Sequence, residues 1–218
     1  MKKKNSYEGS KKRCVIVGAA KIENYERIKS FFTKDDFFIF CDAGLFHSKK
    51  LGVTPDLIIG DFDSSEKPLT DIETITLPRE KDDTDSFFAV KEGLRRGFKD
   101  FLLAGVIGQR FDHSFVNISA LIYLYKEGAK AQIVDDYSVM RLAGSEQTLI
   151  GKCSYFSLLP VAGKVSGVDI CAAKYNLQNA QILPEYIYSS SNEVLPGQQA
   201  TVAVKDGLLL VVEVYAQC

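Results

Sequence analysis

Carboxylates recur at short spacing wherever an apolar run of this chain stops. In Pro55-Asp56-Leu57-Ile58-Ile59-Gly60-Asp61-Phe62-Asp63-Ser64, a β-branched run ends at a glycine and delivers Asp61 and Asp63 just beyond it. Further polar clusters follow the same rule: Cys41-Asp42-Ala43-Gly44, Lys81-Asp82-Asp83-Thr84-Asp85, and Gly105 to His113, which holds Gly108, Gln109, Arg110 and Asp112. Acidic groups gathered in a crevice cost free energy unless positive charge meets them. A hard divalent cation such as Mg2+, brought in with substrate phosphates, does so compactly. Carboxylates, an arginine, a histidine and glycine-rich backbone suit phosphate chemistry, where catalysis is mostly positioning and neutralisation of oxygen charge.

Each member has a plainer explanation when taken alone. Asp42 before Ala-Gly shapes a turn. Asp61 and Asp63 face opposite sides of an extended chain, so sharing one ion requires a bend between them. Thr84-Asp85 also describes an ordinary helix start, with Thr84 as cap and Asp85 against the positive helix end. Arg110 is placed to pair with Asp112, and a lone histidine such as His113 is more often structural than catalytic. What favours function is their joint occurrence at strand ends, which a single parallel sheet brings to one edge. No Gly-x-x-x-x-Gly-Lys-Ser/Thr loop is present, the Gly-Ala-Ala after the first apolar run is too short for a dinucleotide fingerprint, and no Gly-x-Ser-x-Gly elbow occurs. A bound nucleotide therefore depends on metal, arginine and backbone amides.

The elements that would position these groups alternate in period over residues 1–136. Strands are expected at Cys14–Val17, Phe37–Phe40, Leu57–Ile59, Ile72–Leu77, Phe101–Leu103 and Ile133–Val134. Between them, Asn24 caps a helix through Phe32, and a short helical piece ends near Gly52. Thr84 caps a helix through Arg96 that buries Phe88, Ala89 and Leu94 and stops at Gly97, and Asp112 or Ser114 opens a helix closed by Gly128. This alternation predicts an α/β domain with a mainly parallel sheet covered on both faces. Over residues 137–218 the helical period is lost. Short β-like runs follow at Thr148–Ile150, Tyr155–Leu159, Tyr186–Tyr188 and Ala200–Val204, and Asp206-Gly207 reads as a two-residue hairpin before Leu208–Val214. A second, antiparallel domain is expected, a small sandwich or barrel.

With 218 residues, 46% hydrophobic and 25% charged, the composition is that of a soluble globular protein, and the formal net charge of −1 gives no electrostatic reason to expect a nucleic-acid partner. No apolar run reaches bilayer length, so no membrane partner is expected. The basic, polar start lacks an apolar core before any cleavage site, so no secretory signal is expected. The five cysteines are odd in number and scattered, against both a disulfide framework and a zinc site, which fits a reducing, cytoplasmic setting.

Taken together in order, these segments resemble the thiamine pyrophosphokinase (thiamine diphosphokinase) family over nearly the whole chain. The resemblance lies in Asp42-Ala43-Gly44, Pro55 to Ser64, Lys81-Asp82-Asp83-Thr84-Asp85, and Gly108-Gln109-Arg110-Phe111-Asp112-His113 followed by Asn117. In the second half it lies in Lys174-Tyr175-Asn176-Leu177 and Ser191-Asn192-Glu193. It implies an α/β catalytic domain, then a β-sandwich domain that binds thiamine, in a homodimer. The implied reaction transfers a diphosphate from ATP to the thiamine hydroxyl and releases AMP. By position, Asp61, Asp63 and Asp85 match Mg2+ ligands and, with Arg110, the catalytic set. Asp42, Gly44, Ser64, Thr84, Gln109, Asp112 and His113 match the nucleotide and phosphate surroundings, and Ser191 and Asn192 the approach to thiamine. The chain departs from the family at Gln109, where many members carry glycine, at Ala172-Ala173, and in having no tryptophan. Two other readings use the same residues: a metal-dependent diphosphokinase or phosphohydrolase acting on another substrate, and a non-catalytic thiamine or nucleotide sensor.

Overall fold

The computed structural model describes residues 12–62, 70–80 and 82–215. Asp63, Ser64 and Lys81 lie outside the described residues. The chain divides between Asp136 and Tyr137 into two compact units.

In the first unit, β1 (Arg13–Val17), β2 (Asp36–Cys41), β3 (Leu57–Gly60), β4 (Thr74–Thr76), β5 (Asp100–Ala104) and β6 (Lys130–Val134) form a parallel sheet in the order β4-β3-β2-β1-β5-β6. The strands are short apolar runs because both faces are covered. Val15, Ile16, Ile39, Phe40, Ile59, Leu102 and Leu103 are all inaccessible to solvent, and each such side chain contributes about 1.5–3 kcal/mol. The connecting helices are α1 (Tyr25–Lys29), α2 (His47–Leu51), α3 (Asp85–Arg95) and α4 (Phe111–Lys126), with a 3-10 turn at Asp42–Phe46 leading into α2. Asn24 caps α1 by accepting from Arg27 N at 3.0 Å, although the helix ends at Lys29, before Phe32. Strand β4 is confined to three residues of the expected Ile72–Leu77 run. Helix α3 buries Ala89, Val90, Glu92 and Gly93, while Phe88 and Leu94 are only half-buried. The Gly93 side of the helix lies against Phe101 and Cys14 of the sheet, and the buried Glu92 carboxylate binds the guanidinium groups of Arg95 and Arg96.

Strand order reverses between β1 and β5. Ligands of open α/β sheets bind at such a switch point, outside the carboxyl ends of the strands.

The second unit holds β7 (Ser138–Ala143), β8 (Thr148–Leu149), β9 (Tyr155–Pro160), β10 (Val165–Cys171), β11 (Leu177–Ile182), β12 (Thr201–Asp206) and β13 (Leu209–Val214). β13 lies antiparallel between β7 and β9, and the other four strands form an antiparallel sheet ordered β11-β10-β12-β8. Phe156, Leu158, Leu209 and Val211 from the first group share one buried cluster with Val165, Val168, Ile170, Ile182, Val202 and Val204 from the second. This is a sandwich.

Two local expectations fail here. Asp206-Gly207 does not close a hairpin, since β12 and β13 belong to different sheets. The turn instead carries the chain across the sandwich, and Gly207 is required there: its φ is +97° and a Cβ would stand 2.9 Å from Lys164 O. Tyr186–Tyr188 is not a strand but follows a single bridge between Leu183 and Tyr186. Its side chains are exposed, so no buried face holds an alternating pattern in register. None of the described helices is long and apolar enough to cross a membrane.

Candidate active site

The loops that leave β1, β2, β3 and β5 meet at a cleft of about 950 Å3, whose wall also takes in the start of α3 and α4. At its floor, Asp42, Asp61 and Asp85 each offer a carboxylate oxygen, and these oxygens lie within 4.8 Å of one another. The three come from separate places in the fold: the end of β2, the end of β3 and the first residue of α3.

Backbone geometry explains how they converge. Asp42 takes φ +41°, a left-handed conformation that Asp tolerates better than most residues and that turns its side chain out of the line of β2. Phe62 takes φ +53°, so the chain bends immediately after Asp61 instead of remaining extended. Positive φ in a bulky residue such as Phe62 is costly, so the surrounding structure must hold this bend in place. Gly44 lets the turn after Asp42 pack beneath the cleft, because a Cβ there would stand 2.6 Å from Val17 O and 2.7 Å from Gly18 O. Thr84 caps α3, its Oγ1 accepting from Phe87 N at 3.3 Å, and this sets Asp85 at the positive end of the helix.

Three carboxylates this close repel one another by about 3 kcal/mol per pair at an effective dielectric near 20. Oxygen-only donors suit a hard cation, and an octahedral Mg2+ shell measures about 4.2 Å across, so the Asp42, Asp61 and Asp85 oxygens fit such an ion after small side-chain rotations.

The rim is basic. Lys21, Arg79 and Arg110 line the cleft. Arg110 binds Asp112 through Nε at 3.2 Å and through Nη2, both side chains being largely exposed. The guanidinium hydrogen bonds hold the Asp112 carboxyl at about 2. An exposed pair of this kind is worth little, so Arg110 can exchange Asp112 for a phosphate at small cost. His113 stands 4.0 Å from Asp112 through Nε2, and Gln109 joins it in the lining.

Below the rim, hydrogen bonds fix the loop after β5. Gly108 N donates to Ser114 Oγ at 3.0 Å, and Asn117 Nδ2 donates to the carbonyls of Val106 and His113, both at 2.9 Å. His47 fixes the loop after β1: its Nε2 lies 3.0 Å from Ala20 O and its Nδ1 2.8 Å from Tyr25 Oη. Donation from Nε2 to the carbonyl leaves Nδ1 to accept from tyrosine. Burial, with a smaller push from Lys50, lowers the His47 pKa.

Of the residues singled out by sequence, Asp42, Asp61, Thr84, Asp85, Gln109, Arg110 and His113 line the cleft. Gly44 is not among the lining residues, and Asp112 reaches the site through its bond to Arg110. Ser191 and Asn192 lie in the second unit. Asn192 is buried, and its amide is engaged there, Oδ1 accepting from Tyr175 N at 3.0 Å and Nδ2 donating to Tyr175 O at 2.7 Å. Ser191 is exposed at φ +55°. Sequence reasoning did not assign Asp42 to the carboxylate triad and passed over Lys21, Arg79 and Ser86. The positive φ at Asp42 leaves no mark in residue type, and basic loop residues carry no spacing signal.

Comparison with known proteins agrees across both units. The family description "Thiamin pyrophosphokinase, catalytic domain" matches residues 28–133, and "Thiamin pyrophosphokinase, vitamin B1 binding domain" matches residues 145–209. The thiamine pyrophosphokinase of Bacillus subtilis is 26% identical over 180 residues, covering 78% of this chain and 84% of the relative. Among solved structures, the Bacillus subtilis thiamine pyrophosphokinase superposes with a TM-score of 0.84 at 21% identity, covering 94% of this chain and all of that one. The Geobacillus thermodenitrificans protein gives 0.80 at 23% identity, with 94% and 98% covered. Yeast thiamin pyrophosphokinase gives 0.73 at 16% identity, with 96% and 88% covered. The chain belongs to the thiamin pyrophosphokinase family.

Proposed function

We propose that this chain transfers the terminal diphosphate of ATP to the hydroxyl of thiamine, giving thiamine diphosphate and AMP, with Mg2+ held by Asp42, Asp61 and Asp85. The observation that carries the proposal is the meeting of those three carboxylates, from separate strand and helix ends, in a cleft at the switch point of the family's catalytic domain. Asp63 is retained as a ligand candidate from the Asp61-Phe62-Asp63 spacing and lies outside the described residues, as does Ser64.

When bound, Mg2+ supplies neutralisation of phosphate charge as AMP departs. Arg110 presents a planar fork of donors to phosphate oxygens, with Lys21 and Arg79 as further positive charge on the rim. The Arg110 side chain makes no cap hydrogen bond to α4, and the positive end of this 16-residue helix already meets the Asp112 carboxylate, which accepts from the His113 backbone. Gln109 and His113 flank that end, and Thr84 keeps Asp85 in place. The thiamine oxygen attacks the β-phosphorus, the bond from that phosphorus to the bridging oxygen of AMP breaks, and the hydroxyl proton leaves to a carboxylate of the cleft. In the second unit, Asn192 braces the loop that carries Tyr175, which is 60% exposed with the Lys174 ammonium 5.7 Å from its ring centroid, while Ser191 offers a hydroxyl.

The proposal includes a homodimer and a cytoplasmic location. Phe111 and Phe115, with ring centroids 6.2 Å apart and planes tilted by 39° on α4, are 77% and 61% exposed and give one apolar patch suited to burial against a second copy. Incubation with ATP, Mg2+ and thiamine tests the activity: AMP and thiamine diphosphate should appear in equal amounts. Release of ADP or phosphate, or AMP formation independent of thiamine, would overturn it.

A further inference from the structure

Asn117 is buried, with 4% of its surface exposed, and lies nearly two turns into α4, in the wall of the cleft. Every polar atom of its side chain is used. Nδ2 donates to Val106 O in the loop after β5 and to His113 O in its own helix, while Oδ1 accepts from Ser86 Oγ at 2.8 Å. Ser86 Oγ in turn lies 3.2 Å from Thr84 Oγ1, the cap of α3. One amide thus joins the helix start that carries Asp85 to the loop that leads to Arg110. Helix packing alone does not need this arrangement, since α3 and α4 already meet through Phe87 and Tyr123 at 5.3 Å.

We infer that Asn117 is a positioning residue that, through Ser86, sets Asp85 against the other carboxylates while holding the loop from Val106 to Arg110. The inference rests on the diphosphotransferase reading for its kinetic consequences but not for its metal-binding ones. Outer-shell partners of metal ligands typically tune affinity or activity by about 10- to 100-fold. Asn117→Ala should weaken Mn2+ binding about tenfold and lower kcat by a similar factor, while KM for thiamine stays within about twofold. Ser86→Ala should show the same pattern in weaker form. If the two act in one chain, the Ser86→Ala, Asn117→Ala double variant should bind Mn2+ no worse than Asn117→Ala alone, within about twofold.

Mn2+ affinity measured by titration calorimetry, steady-state kinetics and the thermal midpoint are to be compared across the three variants. A lowered midpoint with unchanged Mn2+ affinity and kcat overturns the inference, because Asn117 would then serve stability alone. Additive losses in the double variant also overturn it. Should Asn117→Ala not fold, Ser86→Ala decides: unchanged Mn2+ affinity overturns, and weakened affinity supports. If the wild-type protein forms no thiamine diphosphate, the parent reading fails, while loss of Mn2+ affinity in the variants still supports the positioning role.

Discussion

Asp85 sits where a helix start, a carboxylate cluster and the cleft wall coincide, so its replacement separates charge from shape. Asp85→Asn keeps the volume and the helix start but removes one negative charge, and kcat/KM should fall on the order of a hundredfold or more while the metal-free thermal midpoint rises, because repulsion from Asp42 and Asp61 is relieved. Steady-state assay beside thermal unfolding checks this. Arg110 contributes geometry as well as charge. Arg110→Lys keeps the cation but loses the fork, so KM for ATP should rise about tenfold while KM for thiamine holds. Legibility at this scale followed the chemistry of sequence neighbours. Asp61 was readable because a β-branched run stops at Gly60 just before it, and Thr84-Asp85 because cap and carboxylate are adjacent. Asp42 looked like a turn residue, and it is one: the same positive φ that makes the turn also aims the carboxylate. Asn117 was marked by the family-like segment it follows, but its link to Ser86 was not legible, because that partner lies 31 residues away on another helix.

The turns and loops around the cleft are held by packing that mutation can probe separately from chemistry. Gly44→Ala drives a methyl against the carbonyls of Val17 and Gly18, at a cost of about 1–3 kcal/mol, and chemical denaturation should register that loss. His47 links α2 to the loop after β1, and burial keeps its pKa below the ordinary 6.5. A depressed native pKa means that the unfolded chain binds more protons as pH drops below 6.5. The contribution of His47 is therefore complete above that pH and is lost as pH falls through its native value. His47→Gln should flatten the pH dependence of unfolding free energy below pH 6.5, as read by denaturant titration across that range. The elements themselves were largely legible in the first unit, where apolar strands and capped helices alternate. Strand β4 and helix α1 came out shorter than their patterns, since hydrophobic period marks a segment better than its ends.

For the molecule as a whole, the division into a parallel α/β unit and an antiparallel sandwich was readable from the change of period near Asp136, but the pairing within the sandwich was not. Asp206-Gly207 has the residues of a tight turn, and turn chemistry is local, whereas the choice of strand partner is made by burial: Leu209 and Val211 fill the space facing Val202 and Val204. Strand β10 escaped notice because Gly167 and the register shifts between Ser166 and Ile170 break its alternation. Residues far apart in the chain also set the site, and its central feature is the meeting of three carboxylates from distinct elements, which the proposed function assigns to one cation. Titration of Mn2+ into the wild-type protein and into Asp42→Asn, Asp61→Asn and Asp85→Asn, with binding followed by electron paramagnetic resonance, tests that most directly. Shared coordination predicts that the wild type binds the ion at this site and that each substitution alone weakens binding about tenfold or more. Wild-type affinity retained in all three variants would contradict the account.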